Sequence, residues 1–448
     1  MKRIVALVLL VLLCLSFASC FGRRGGLSAY EVAVENGYKG DENSWLESLR
    51  GKDLTLTEIY SAAKAEGYEG DLLSFLKEYL SYDDGDLVNA GVAPASAGIS
   101  GALLSSVIIN CSFDYYSYTF HGIPLGIETQ QITGGGVIYR LDKEKGDAYI
   151  ITNYHVVYYA SALTEDKISD RIKVYLYGSE SERYAMDATY VGGSMNYDIA
   201  VLKITGSEFL KNNSALAVAV ADSDLLTVGD AAIAIGNPKS GGISVTRGIV
   251  SVDSEYITMQ ACDNVSIVSY RLLRVDTAIN SGNSGGGLFS EDGKLIGIVN
   301  AKVSSSEVEN IGFAIPSNIA TNVADNVIDN CDGTTARKPK ICVPGVSLTV
   351  SGSQAYFDAE THTTRIRESV YVTKVQSGTP AEGLLKTGDA LTAVKIGDKT
   401  YRIDRSFVFD DVMPTCRVGD VVTVYFVRDD VPGSVEFTLD STAFVEVK

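Results

Sequence analysis

Four glycines crowd one serine in Asn280-Ser281-Gly282-Asn283-Ser284-Gly285-Gly286-Gly287-Leu288-Phe289. The run follows Val275–Ile279 and precedes a strand-like Leu295–Val299. A backbone so rich in glycine can make a tight turn through φ values closed to other residues, and leaves room for another chain to approach. Such a turn can aim the amides of Gly282 and Ser284 at one point, where a developing oxyanion would be held. A plain glycine-serine turn between strands satisfies the same local pattern.

Two further stretches narrow the choice. Ile151-Thr152-Asn153-Tyr154-His155-Val156-Val157 puts a histidine at the end of a β-branched run, and Asn196-Tyr197-Asp198-Ile199-Ala200-Val201-Leu202 puts an aspartate at the mouth of another. Serine needs an adjacent base to become a nucleophile, and the base needs a carboxylate to fix its tautomer. His155, Asp198 and Ser284 in that order make one of the known triad orders. A lone histidine or aspartate at these places would be read as packing.

With these motifs in hand, the chain resembles the HtrA (DegP-like) serine proteases, whose patterns run approximately TNxHV, DxAxLK and GNSGG. The likeness continues through Gly134–Ile138, Ala234–Pro238, Val245–Ser251 and Gly312–Pro316. It implies two six-stranded β-barrels with the triad His155, Asp198 and Ser284 between them, an oxyanion hole at Gly282, Asn283 and Ser284, and Ile279 in the substrate pocket. It also implies unfolded polypeptide substrates cut after small or medium apolar residues, and assembly as a homotrimer. The stretch Asp253–Asn264 corresponds to a family loop that senses activation. Gly287 departs from the alanine or proline usual in the family and predicts a looser loop.

At 448 residues the chain has room for several domains. Its net charge of −18 argues against nucleic acid, which needs a basic face. Met1-Lys2-Arg3 followed by the apolar run Ile4–Leu15 reads as a secretory signal, too short for a membrane span of about 20 residues. Phe17-Ala18-Ser19-Cys20 resembles a lipobox, which implies lipidation at Cys20 and tethering by acyl chains to the outer face of a bacterial membrane. Cys111, Cys262, Cys331, Cys342 and Cys416 cannot all pair; Cys331 and Cys342 are near enough in sequence to close a short loop. No spacing reads as a metal site, and the chemistry calls for no cofactor.

The expected organisation is a signal peptide at 1–20, a helical repeat or spacer region at 21–82, a flexible linker at 83–104, a protease domain at 105–335 and a PDZ domain at 336–448. Within the repeats, Tyr30, Ala33 and Gly37-Tyr38 recur thirty residues on as Tyr60, Ala63 and Gly67-Tyr68. Thr334–Lys340 reads as a polar hinge. The C-terminal stretch resembles PDZ domains through Val370–Val375, Ser377–Glu382 and Leu384–Leu391, which implies a peptide added along Val370, Tyr371 and Val372. Glu368 in front of that strand disfavours capture of a terminal carboxylate. The fold class is therefore mostly β: a chymotrypsin-like double β-barrel protease domain plus a PDZ domain, preceded by a small α-helical repeat region. The function expected is that of a membrane-tethered extracytoplasmic endopeptidase for misfolded proteins; the alternative is a peptide-binding holdase or surface protein with little protease activity.

Overall fold

The structure, a computed structural model, describes residue 39 and residues 95–118, 124–237, 242–300, 311–359 and 361–448. The expected signal peptide, Cys20 and, apart from Lys39, the repeat region lie outside the described residues. The chain divides into Met1–Val92 and Ala93–Lys448, and all described residues but one belong to the second unit.

Runs of alternating apolar residues at 106–204 form strands that bury one face. These are β1 (Ser106–Tyr118), β2 (Pro124–Asp142), β3 (Asp147–Thr152), β4 (Arg171–Leu176), β5 (Met186–Ser194) and β6 (Ile199–Ile204), with a one-turn helix α2 (Tyr154–Val157) after β3. They close into an antiparallel barrel in the order β1-β2-β3-β6-β5-β4, which leaves no open edge. Val107, Ile109, Ile150, Val174 and Leu202 fill it.

A second closed barrel follows the same plan. It comprises β7 (Ala231–Gly236), β8 (Ser244–Gln260), β9 (Ile267–Val275), β10 (Gly287–Phe289), β11 (Leu295–Val299) and β12 (Gly312–Pro316), ordered β10-β11-β12-β9-β8-β7. Helix α4 (Ser317–Asn330) leaves β12 directly and buries Ile319, Val323 and Val327 against the barrel wall. A short helix α3 (Glu208–Lys211) lies between the barrels in sequence, its first turn capped by the Ser207 hydroxyl.

Several stretches differ from the sequence reading. Residues 95–104 of the expected flexible linker are helical, as part of α1 (Ala95–Ser105). Gly98 lies so close to Asp292 and Gly293 that a side chain at 98 would overlap their backbone at 2.6 Å, so α1 docks on the second barrel through its small residues. Asp253–Gln260 belongs to β8, whose register with β9 continues to Gln260 opposite Ile267. The supposed hinge is tied down: Asp332 accepts the N–H groups of Thr334, Thr335 and Ala336, and Arg337 pairs with Asp166 of the first barrel.

The C-terminal domain has a sheet ordered β14 (Val346–Asp358), β15 (Thr363–Val375), β16 (Ala390–Ile396), β18 (Val421–Arg428), β19 (Val431–Thr438), with β17 (Lys399–Arg402) on β16. A separate ladder joins β13 (Lys340–Cys342) to β20 (Phe444–Glu446), and helix α5 (Phe407–Val412) covers the core. The domain meets the second barrel through charged groups. Arg271 of β9 is buried, stacks 3.4 Å over the Phe407 ring and pairs with Asp411 of α5. Arg405 reaches Asp253 at 2.5 Å and Glu368 at 3.3 Å.

Candidate active site

The barrels meet along two glycine runs. On β2, Gly135 N–H donates to the Ser284 carbonyl at 2.7 Å. A methyl group on Gly134 would lie 2.7 Å from Val156, and one on Gly135 would lie 2.7 Å from Gly286. Only glycines on both sides allow this approach. Ser284 is thereby pressed against the first barrel, close to the short helix that carries His155.

Asp198 is fixed from every side. It sits at φ +51°, a left-handed conformation that aspartate tolerates better than most residues. Its carbonyl accepts from Tyr154 N–H at 3.1 Å and Asn153 Nδ2 at 3.0 Å. One carboxylate oxygen accepts from the His155 backbone N–H at 3.0 Å; the other takes His155 Nδ1 at 2.7 Å and Asn300 Nδ2 at 3.0 Å. Asp198 is 2% exposed. With its proton on Nδ1, directed at the carboxylate, the imidazole presents the Nε2 lone pair as a base.

The amides of the serine loop divide into two sets. Asn283 N–H donates to Asn280, Gly285 N–H to Val299 and Gly286 N–H to Asn283, each at 3.0 Å. The N–H groups of Gly282 and Ser284 find no acceptor among the described residues. Asn237 N–H takes the Gly282 carbonyl at 3.3 Å, which holds that peptide in place. Gly282 and Gly285 have φ of +99° and +82°, as such a turn requires. Asn283 is not a third donor: its N–H is spent within the loop, and its side chain is buried against Gly236. Two amides free to bind an oxyanion therefore flank it. Ser284 Oγ itself has no hydrogen-bond partner among the described residues.

Ile279 packs across Gly312, where an added methyl would come within 2.6 Å of it. Gly287 does not loosen the loop. It is buried in β10, pairs with Ile298 and Ile235, and a methyl there would strike the Phe289 ring at 2.4 Å. The glycine makes room for that ring.

Val370, Tyr371 and Val372 cannot receive an added strand. β15 is bonded on one side to Val350, Thr349 and Leu348 of β14, and Val370 and Tyr371 are paired on the other with Leu391 and Ala390 of β16, while Val372 N–H donates to the Asp389 carbonyl. Both edges are occupied, and Val370 and Val372 are buried. Glu368 is likewise engaged, by Ser406 N–H at 2.7 Å and by Arg405. Sequence reasoning missed Asn300, a single asparagine with no pattern around it, and gave no role to Asn153 although it sits in the histidine motif; the part of each is visible only through Asp198.

Residues 134–298 match the trypsin-like peptidase domain family. The serine protease Do-like HtrA of Lactococcus lactis subsp. lactis is 34% identical over 66% of this chain and 67% of its own. This chain belongs to the HtrA family of serine proteases. The Bacillus subtilis serine protease Do-like HtrA is 34% identical over 67% of this chain and 62% of its own. Among solved structures, the HtrA-type protease AlgW with decapeptide aligns over 77% of this chain and 98% of that one, at 25% identity and a TM-score of 0.46. The protease is a serine endopeptidase, and the serine loop, His155 and Asp198 all lie within the matched domain.

Proposed function

We propose that the protease degrades unfolded and misfolded polypeptides through an acyl-enzyme, using His155, Asp198 and Ser284. Neutral His155 takes the Ser284 hydroxyl proton on Nε2 while Oγ bonds to the peptide carbonyl carbon. Gly282 and Ser284 N–H bind the oxyanion; His155 then gives the proton to the leaving amine, and water cleaves the ester. Asp198 orients the imidazole and offsets its charge. The observation that carries this reading is the 2.7 Å contact of His155 Nδ1 with a carboxylate immobilised on both oxygens.

The protein is tethered outside the membrane through Cys20 and works in quality control of exported proteins; the signal-like leader supports this. The C-terminal domain is PDZ-like and binds peptide on an outer edge of its sheet. The terminal strand β14 supports that placement, because it is bonded to β15 on one side and stands last in the strand order. Subunits form a homotrimer, a reading supported by the exposed Tyr116, Tyr118, Leu125 and Ile127 on the β1–β2 arm.

The test is cleavage of reduced casein by the full chain beside Ser284→Ala. Cleavage by the first alone supports the triad. Equal cleavage by both refutes it. If neither cleaves and both suppress aggregation of an unfolding client, the holdase reading replaces it.

A further inference from the structure

Sequence proximity offers Cys331 and Cys342 as partners, but the fold separates them. The Cys331 sulfur lies against Gly192 of β5, packed with the barrel core. Cys342 closes β13 and belongs to the core of the C-terminal domain, together with Cys416. Cys416 follows the 3-10 turn Met413–Thr415 after α5, and its N–H donates to the Met413 carbonyl.

One side chain brings these segments together. Asn326 of α4 is fully buried, and its Nδ2 donates both to Lys340 O at 2.8 Å and to Pro414 O at 2.9 Å. Its Oδ1 accepts Lys340 N–H at 2.9 Å. Each contact lies two residues before a cysteine, and β13 packs on the 3-10 turn that leads into Cys416, so the clip brings Cys342 and Cys416 into the same part of the core. Both belong to one buried core cluster, and the neighbouring Cys342 thiol together with burial pushes the Cys416 thiol up. Both residues are 2% exposed or less.

We propose that Cys342 and Cys416 are a redox site that closes to an intramolecular disulfide, stapling β13 to the segment after α5. The oxidant is an exchangeable disulfide, of a small thiol or of a thiol–disulfide oxidoreductase. One protein thiolate attacks it, forms a mixed disulfide and expels one thiolate. The second protein thiolate then attacks the protein sulfur and expels the other. The two electrons end in the broken S–S bond of the oxidant, and the two protons on its thiols. Both sulfurs are buried, so exchange takes place before the domain packs or when the seam opens, and the closed bond resists reductant afterwards. Cys342 also lines a cleft of about 480 Å³ between the C-terminal domain and the second barrel. The staple thus fixes one wall of that cleft. The inference rests on the exported reading only for the source of the oxidant.

The test uses the full chain refolded with glutathione disulfide or with dithiothreitol. Thiols are alkylated under denaturing conditions, and the peptides are mapped without reduction. The expected result is one linked pair, 342 with 416, in the oxidised sample. Closing so long a loop should also raise the melting temperature by roughly 10 °C over the reduced form. Cys331→Ser should keep the link, and Cys342→Ser/Cys416→Ser should remove the shift. Full alkylation of both cysteines after oxidation, or a link from either to Cys331, overturns the proposal. The mapping uses the wild-type protein, so it decides the matter even if the double variant does not fold. Casein cleavage is not a readout, so failure here is distinct from failure of the triad.

Discussion

Asn300 offers the sharpest test of how the site is held. Its Nδ2 lies 3.0 Å from the Asp198 oxygen that also takes His155 Nδ1, and it is 1% exposed. A buried hydrogen bond to a charged group contributes about 1.5–3 kcal/mol. If that bond holds Asp198 in position for the transition state, Asn300→Ala should lower kcat/KM about 10- to 100-fold. The loss should fall on kcat, because Asn300 touches Asp198 rather than bound peptide. Asn300→Asp should cost more at neutral pH, since two carboxylates in contact cannot both ionise. The assay is steady-state cleavage of an unfolded casein substrate, with thermal unfolding of each variant as the folding control. Asn300→Ala within threefold of wild type in kcat, with unchanged stability, would refute the claim that this contact orients Asp198.

The serine loop and the domain junction yield three more expectations. Gly285→Ala places a methyl 2.2 Å from Thr152 Oγ1 and 2.4 Å from Gly135 O at φ +82°; it should cost more than about 3 kcal/mol of stability and abolish cleavage, read by calorimetry and casein turnover. Gly287→Ala should destabilise by about 1–3 kcal/mol through the Phe289 ring, and Phe289→Leu in the same chain should recover part of that loss in a double-mutant cycle. Burial pushes the Asp411 carboxyl up to about 7, against the pull of Arg271 and with Asp224 and Asp410 adding repulsion. The unfolded carboxyl titrates near ~4, so the folded form holds an extra proton between those values. That contribution to stability is complete below the unfolded pKa and is lost as pH rises through about 7. Asp411→Asn should therefore flatten the fall in melting temperature between pH 5 and 8; an unchanged slope counts against it.

What was legible in the sequence is what fits inside one short contiguous pattern. His155, Asp198 and Ser284 each sit in such a pattern, and the two barrels were implied by the family resemblance those patterns carry rather than by the spacing of the strands. The edge of the C-terminal sheet was not legible. Val370–Val372 has the alternation of a strand, but alternation reports which face is buried and not which neighbours flank the strand. β14 and β16 flank it, and only their register shows that its hydrogen-bonding groups are taken. The junction was hidden for a related reason. Arg271 and Asp411 are far apart in the chain, each an ordinary charged residue until folding buries them together.

Asp198 shows how the two kinds of information meet. A left-handed backbone at a non-glycine residue is costly, though least so for aspartate and asparagine. At φ +51° the Asp198 carbonyl turns toward Asn153 and Tyr154 while the carboxylate turns toward His155. The segment Thr152–His155 thus binds both ends of one residue: Thr152 holds Gly135 O at 2.8 Å, Asn153 and Tyr154 hold the Asp198 backbone, and His155 holds its side chain. Gly135 in turn donates to the Ser284 carbonyl. A chain of contacts therefore runs from the aspartate loop through Thr152 and Gly135 to the serine loop without passing through the imidazole. Thr152 and Asn153 earn their place in the motif as positioning residues. Substituting either should disturb the spacing between His155 and Ser284 even though neither touches a reacting atom.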